Sequence, residues 1–219
     1  MIDYDFLFNK DHFMTATTPP LKHQEHILCV KSSVLHPVVD GLSSYQLNAD
    51  DVFIGRRALL EKDEDFRQIL AVSIYLHDGK VWAYHRAPSG GEDRLHGKVA
   101  VAVGGHWDLA DLVSKDSIID IEKSMELALA RELEEEVVLS SNITKLYDLP
   151  KVICASDTPV DRVHAAFVSV REVDGEDLLP NEKDLEAIGF RTPEELLSGD
   201  YDIETWTRVI CEILIANKK

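Results

Sequence analysis

The sequence predicts an α/β protein in an α/β/α layering, and three observations carry that expectation. Strand-like apolar segments begin at Ile69. A strand ending in two glycines precedes a helix that carries a run of carboxylates. A further amphipathic helix closes the chain. Strands with helices interspersed on both sides bury both faces of a sheet as a sandwich.

The elements follow in chain order. Residues 1 to about 25 have mixed polarity, with two threonines and two prolines at 17–20, and read as an irregular lead-in. The opening MIDYDFLFNK carries acidic residues and no apolar stretch, which argues against a secretory signal. Residues 27–31 (ILCVK) read as a short strand, and 50–68 have loop and helix character. Residues 1–68 are thus expected to be an extension packed on a core domain of 69–219. Within that domain, 69–76 (ILAVSIYL) and 81–87 (VWAYHRA) flank a His-Asp-Gly-Lys turn, a hairpin signature. The turn-rich loop 88–93 leads to a buried strand, 99–103 (VAVAV), which ends in Gly104 and Gly105. Ser117 or Asp120 can cap a helix that runs to about Val138. Strands are expected at 151–155 and 162–170, and a short helix at 192–197 with Pro193 near its start. Ile203, Trp206, Val209, Ile210, Ile213 and Leu214 fall at helical spacing and mark the last helix as one that packs on the sheet.

Bulk properties narrow the function classes. A formal net charge of -17 repels polyanions, so binding to a nucleic acid polymer or an anionic membrane is disfavoured. No apolar run is long enough for a spanning helix. Cys29, Cys154 and Cys211 are widely spaced and odd in number, as expected of reduced thiols in a cytoplasmic protein.

Chemistry concentrates in Arg131-Glu132-Leu133-Glu134-Glu135-Glu136. At about 100° per residue, Glu132, Glu135 and Glu136 share an arc of roughly 100°, and Glu134 points elsewhere. Met125, Leu129, Leu133 and Val137 form an apolar stripe beside that arc, so the three carboxylates border the buried face. In so acidic a chain, glutamates on a helix are ordinarily a solvated face. Carboxylates crowded beside a core repel one another unless a cation neutralises them, and hard divalent ions take such oxygen ligands. The preceding glycines let backbone approach a metal or a phosphate closely.

This pattern resembles the Nudix box: residues 131–136 match its Arg-Glu-hydrophobic-x-Glu-Glu core, and Gly104-Gly105 its opening glycines. The resemblance covers about residues 69–200. It implies a Nudix-type α/β/α sandwich with a mixed sheet and an N-terminal extension. It further implies a metal-dependent pyrophosphohydrolase that cleaves a diphosphate linkage by attack of water at phosphorus. Glu132, Glu135, Glu136 and the Gly104 carbonyl would hold Mg²⁺ or Mn²⁺, with Arg131 part of the catalytic motif. The resemblance leaves the general base open. Two departures stand out: a long insertion follows Gly105, and Lys123 occupies the position of the box glutamate that pairs with the arginine. Glu122 and Asp120 are the candidate replacements.

Arg86, Arg94, His96 and His106 are candidate phosphate contacts, and Trp107, placed in a loop, is a candidate stacking partner for a nucleobase. Trp82 is expected in the core, His164 as an ordinary sheet histidine, and Glu182 and Glu186 as candidates for a further acidic ligand or base. The leading expectation is a small-molecule nucleoside diphosphate derivative as substrate. The alternatives are a hydrolase or isomerase of a non-nucleotide diphosphate, and a Nudix-like binding module without catalysis. The resemblance allows a homodimer, although no interface is legible in the sequence.

Overall fold

A computed structural model of the protein describes residues 25–88, 93–116 and 118–218. The lead-in, most of the turn-rich loop at 88–93 and Ser117 lie outside the described residues. The chain forms strands β1 (His26–Lys31), β2 (Val38–Val39), β3 (Leu42–Ser43) and β4 (Val52–Arg56), then the short helix α1 (Arg57–Leu60). Strands β5 (Phe66–His77), β6 (Lys80–Arg86), β7 (Val99–Ala100), β8 (Val103–His106), β9 (Ser114–Lys115) and β10 (Ile118–Ile119) lead to helix α2 (Ile121–Glu136). There follow β11 (Val137–Leu139), β12 (Ile143–Asp148), β13 (Val152–Ile153), β14 (His164–Val173), β15 (Leu178–Pro180) and β16 (Leu185–Arg191). Helices α3 (Pro193–Leu196) and α4 (Thr205–Ala216) complete the chain.

The main sheet is mixed. Its central path runs β16-β6-β5-β14-β13-β3-β2, with β5 and β14 parallel and β5 and β6 antiparallel. The β5–β6 hairpin turns on Asp78 and Gly79, both at positive φ (47° and 74°), which suits the twist of a two-residue hairpin. Alternation along β5 divides the core. Ile69 and Ala71 join Leu28, Val30, Trp107 and Ala128 of α2 in one cluster, while Val72 and Ile74 join Leu196 of α3 and Val209 and Ile210 of α4 in another. Successive side chains of a strand point to opposite faces. The two helical layers therefore lie on opposite sides of one sheet, an α/β/α sandwich.

Several expectations change in detail. The segment 99–103 is two strands: β7 pairs with β6 while β8 pairs with β5, so the chain changes partner between Ala100 and Val103. Residues 50–68 hold the strand β4, which pairs with β1, as well as the short helix α1. In 162–170, a 3-10 turn at Asp161–Val163 precedes β14. Strand β5 starts at Phe66, three residues before the expected Ile69, and pairs with β1 through Cys29↔Gln68. Helix α3 opens with Pro193 behind a Thr192–Glu195 capping box. Cys29, Cys154 and Cys211 are free and buried. Among the described residues no helix is long and apolar enough to cross a membrane.

Candidate active site

The site is assembled by β8 and α2. Gly104 and Gly105 of β8 lie opposite Val72 and Ala71 of β5. Gly104 has φ +133°, and a Cβ there would stand 2.3 Å from the Ala71 carbonyl oxygen. A Cβ on Gly105 would meet the Glu132 carboxylate at 2.5 Å. A side chain at Gly104 is excluded by backbone, whereas one at Gly105 would displace the Glu132 carboxylate. The glycine pair is what allows α2 to lay its acids against the strand.

Helix α2 starts cleanly because the Asp120 side chain accepts the Lys123 N–H at 3.0 Å. Ser124 and Ala128 are buried, and their spacing sets the face that packs on the sheet. One turn further on, Glu132 is 13% exposed, Glu135 is 54% exposed, and Glu136 accepts the Gly104 N–H at 2.7 Å. Burial pushes the Glu136 carboxyl up to about 8, helped by the Glu132 charge and opposed by the Gly104 N–H and Arg86. Burial likewise raises Glu132, against the pull of Arg131. A carboxylate that burial makes costly to ionise is one that a cation would stabilise. The donors are all hard oxygens, the ligand class that Mg²⁺ or Mn²⁺ takes. On this observation the residues fit a divalent-ion site.

Arg131 is paired from the insertion that follows Gly105. Its Nε and Nη2 donate to the two oxygens of Asp111 at 3.1 and 2.8 Å, its Nη1 to Glu132 at 2.7 Å, and its Nη2 also to the His106 carbonyl at 3.1 Å. These bonds, led by Asp111, hold the guanidinium further above its ordinary value. The expected partners Glu122 and Asp120 do not serve: Glu122 is exposed on the first turn of α2, and Asp120 caps the helix. Asp111 ends a short turn, Leu109–Asp111, closed by a reciprocal capping box with Asp108. The Asp-x-x-Asp spacing at 108–111 was the available signal, hidden by its position in an insertion.

The carboxylates and glycines open onto a cleft of about 670 Å³, and Arg86, Arg94, His96 and His106 also line it. Arg86 pairs through Nε with the buried Glu204, and Arg94 Nη2 donates to Glu61 at 2.8 Å. Glu182 lines the cleft, whereas Glu186 is exposed on β16 opposite His85. Trp82 is fully buried, as expected. Trp107 is a correction: it is 0% exposed, packed among Leu28, Val30 and Ile69, so no base can reach its faces. The aromatic ring on the cleft wall is Trp206 of α4, beside Ile203. Its helical spacing points to packing on the sheet, and only the end of α4 that faces the cleft gives it a second surface.

No family model matches the chain. Protein YmaB of Bacillus subtilis (strain 168) is 27% identical over 162 residues, 73% of this chain and 76% of that protein. The crystal structure of Tm1382, a candidate Nudix hydrolase, superposes with a TM-score of 0.65 at 22% identity, covering 88% of this chain and 99% of that one. The MutT protein of Methanosarcina mazei Go1 aligns over 70% of this chain and 96% of its own, at 15% identity and a TM-score of 0.40. With the mixed sheet between two helical layers, the likeness to Tm1382 establishes that this chain has the Nudix-type fold.

Proposed function

We propose that the protein is a metal-dependent pyrophosphohydrolase acting on a nucleoside diphosphate derivative. The observation that carries this reading is that Glu132 and Glu136 lie against Gly105 and Gly104, with Glu135 on the same helix, in a cleft that Arg86 and Arg94 also line. Glu132, Glu135, Glu136 and the Gly104 carbonyl would hold Mg²⁺ or Mn²⁺. When bound, such ions neutralise a diphosphate and lower the pKa of an attacking water.

The chain's own groups supply the rest. Arg131, fixed by Asp111, orients the Glu132 carboxylate through its 2.7 Å bond. The Gly104 N–H orients Glu136 in the same way. Arg86, Arg94 and His96 place donors along the cleft, where the phosphate oxygens of a substrate would lie. Trp206 and Ile203 give the cleft an apolar wall for the group attached to the diphosphate. Water displaces one phosphate oxygen at phosphorus, and the products are a monophosphate and a second phosphorylated molecule.

The same apolar wall suits an isoprenoid, so a non-nucleotide diphosphate is the second reading. A panel of nucleotide sugars, dinucleoside polyphosphates, nucleoside triphosphates and isoprenyl diphosphates separates the two. Turnover is expected with Mg²⁺ or Mn²⁺, and its loss in EDTA and in Glu135→Gln. Turnover indifferent to both would refute the proposal.

A further inference from the structure

A second group of metal-ligating side chains stands outside the glutamate box. Glu61, immediately after α1, His106, at the end of β8, and His164, at the start of β14, bring one ligand atom each to within 4.8 Å of the others. The two imidazoles stand edge to face with centroids 5.3 Å apart, and His164 Nε2 is 3.8 Å from Glu61 Oε1. Both histidines line the cleft, His106 half-buried and His164 buried. We propose that these three residues form a second cation site, of the nitrogen-rich kind that takes Zn²⁺ and its transition-metal neighbours.

Their surroundings are those of metal ligands. The Val160 carbonyl sits 2.8 Å from His164 Nδ1. A carbonyl can only accept, so Nδ1 carries a proton, and Nε2, the nitrogen that faces Glu61, is the atom a metal would take. The His106 ring is held by Gln68, whose Oε1 is 2.9 Å from Nε2. Gln68 is 0% exposed, and its Nε2 has no hydrogen-bond partner among the described residues. A buried amide at that cost serves as a fixed orienting group beneath the imidazole. Glu61 is oriented as well: Oε2 accepts Arg94 at 2.8 Å, while Oε1 faces His164, with Arg57 Nε 3.7 Å away.

The separations suit the ion. Zinc bonds of about 2.0–2.2 Å place tetrahedral ligands roughly 3.4 Å apart, so the cluster needs to close by about 1 Å. Two imidazoles and one carboxylate leave a fourth position for water or a substrate atom. That donor set favours a transition metal over Mg²⁺, whereas the oxygen-only glutamate box has the opposite preference. The ion would tie the segment before β5 to β8 and β14. It would also steady the strand that carries Gly104 and Gly105, since the His106 carbonyl already accepts from Arg131.

The test is calorimetric titration of the EDTA-stripped full chain with Zn²⁺ in excess Mg²⁺, on wild type, His164→Gln, Glu61→Gln and Glu135→Gln. Circular dichroism monitors the fold, and a parallel Co²⁺ titration is read by visible absorption. The expected result is one equivalent of Zn²⁺ in wild type and in Glu135→Gln, with affinity down about 100-fold in His164→Gln and at least 10-fold in Glu61→Gln. Co²⁺ should give the intense bands of a four-coordinate site, lost in the same two variants. Should His164→Gln fail to fold, Glu61→Gln decides, since that side chain is partly exposed. Absence of Zn²⁺ binding in excess Mg²⁺ would overturn the proposal. So would binding that survives Glu61→Gln, or that falls only in Glu135→Gln, which would put the zinc in the glutamate box.

Discussion

Replacing Asp111 with Ala tests whether the segment between β8 and α2 supplies the partner of Arg131. The Asp111 side chain is 7% exposed, and its carboxylate accepts two Arg131 bonds, at 3.1 and 2.8 Å, and the Asp108 N–H at 3.1 Å. Hydrogen bonds to charged groups contribute about 1.5–3 kcal/mol each when well buried. Arg131 is 33% exposed and keeps Glu132 and the His106 carbonyl, so the lower end applies. The expected loss is about 2–3 kcal/mol, read by urea unfolding at unchanged m value. A double-mutant cycle with Arg131→Met should give a coupling of about 1–2 kcal/mol. Asp120→Ala should cost about 1 kcal/mol through loss of the helix cap alone. Glu122→Ala and Lys123→Glu should each stay within about 0.5 kcal/mol, because Arg131 already has its partner. Coupling below about 0.5 kcal/mol, or a larger cost for Glu122→Ala than for Asp111→Ala, would refute this account.

Further outcomes follow from the same geometry. The Glu136 carboxyl, pushed up to about 8, binds its proton more tightly folded than unfolded, where about 4.3 is usual. Its stabilising contribution is complete below the unfolded value and lost as pH rises through 8. The metal-free protein should therefore melt lower at pH 9 than at pH 6, Mg²⁺ should flatten that slope, and Glu136→Gln should remove its share; a pH-independent melting point contradicts this. Trp206→Ala should raise KM for a substrate with a bulky apolar group by roughly 5–30-fold, about 1–2 kcal/mol, at modest cost in stability. Trp107→Phe should lower the melting point and leave KM unchanged, and the reverse pattern would return Trp107 to the substrate. Taking residues 1–68 as an extension packed on the core, a fragment of 69–219 should fail to fold cooperatively. The cut removes the β1 edge of β5 together with the buried Leu28 and Val30, and a cooperative melt of the fragment would count against that reading.

The parts of the fold legible in the sequence are those whose signal is local. The β5–β6 hairpin was marked by its Asp-Gly turn, α2 by its Asp120 cap, α3 by Thr192 and Pro193, and α4 by its apolar spacing. The carboxylate triad was legible for the same reason, since one helix carries all three residues. What escaped was long-range. Val99–Val103 is continuous in sequence, and only its neighbours reveal that β7 and β8 pair with different strands. Asp111 reaches Arg131 across 20 positions. Trp107 lies next to a glycine pair in an apparent loop, yet hydrogen bonds of its own backbone with Ile69 and Leu28 bind it into the core. His164 was expected to be an ordinary sheet residue. Its nearness to His106 and Glu61 depends on β14 and β8 flanking β5, a pairing that no local pattern encodes.

Under the proposed function, Glu132, Glu135 and Glu136 together hold a divalent cation. The most direct measurement is Mn²⁺ titration followed by the free-ion electron paramagnetic resonance signal, on wild type and on Glu132→Gln, Glu135→Gln and Glu136→Gln. Wild type is expected to deplete the free signal, with affinity at least 10-fold weaker in each folded variant. Equal Mn²⁺ binding by wild type and all three variants, or none by wild type, would contradict it.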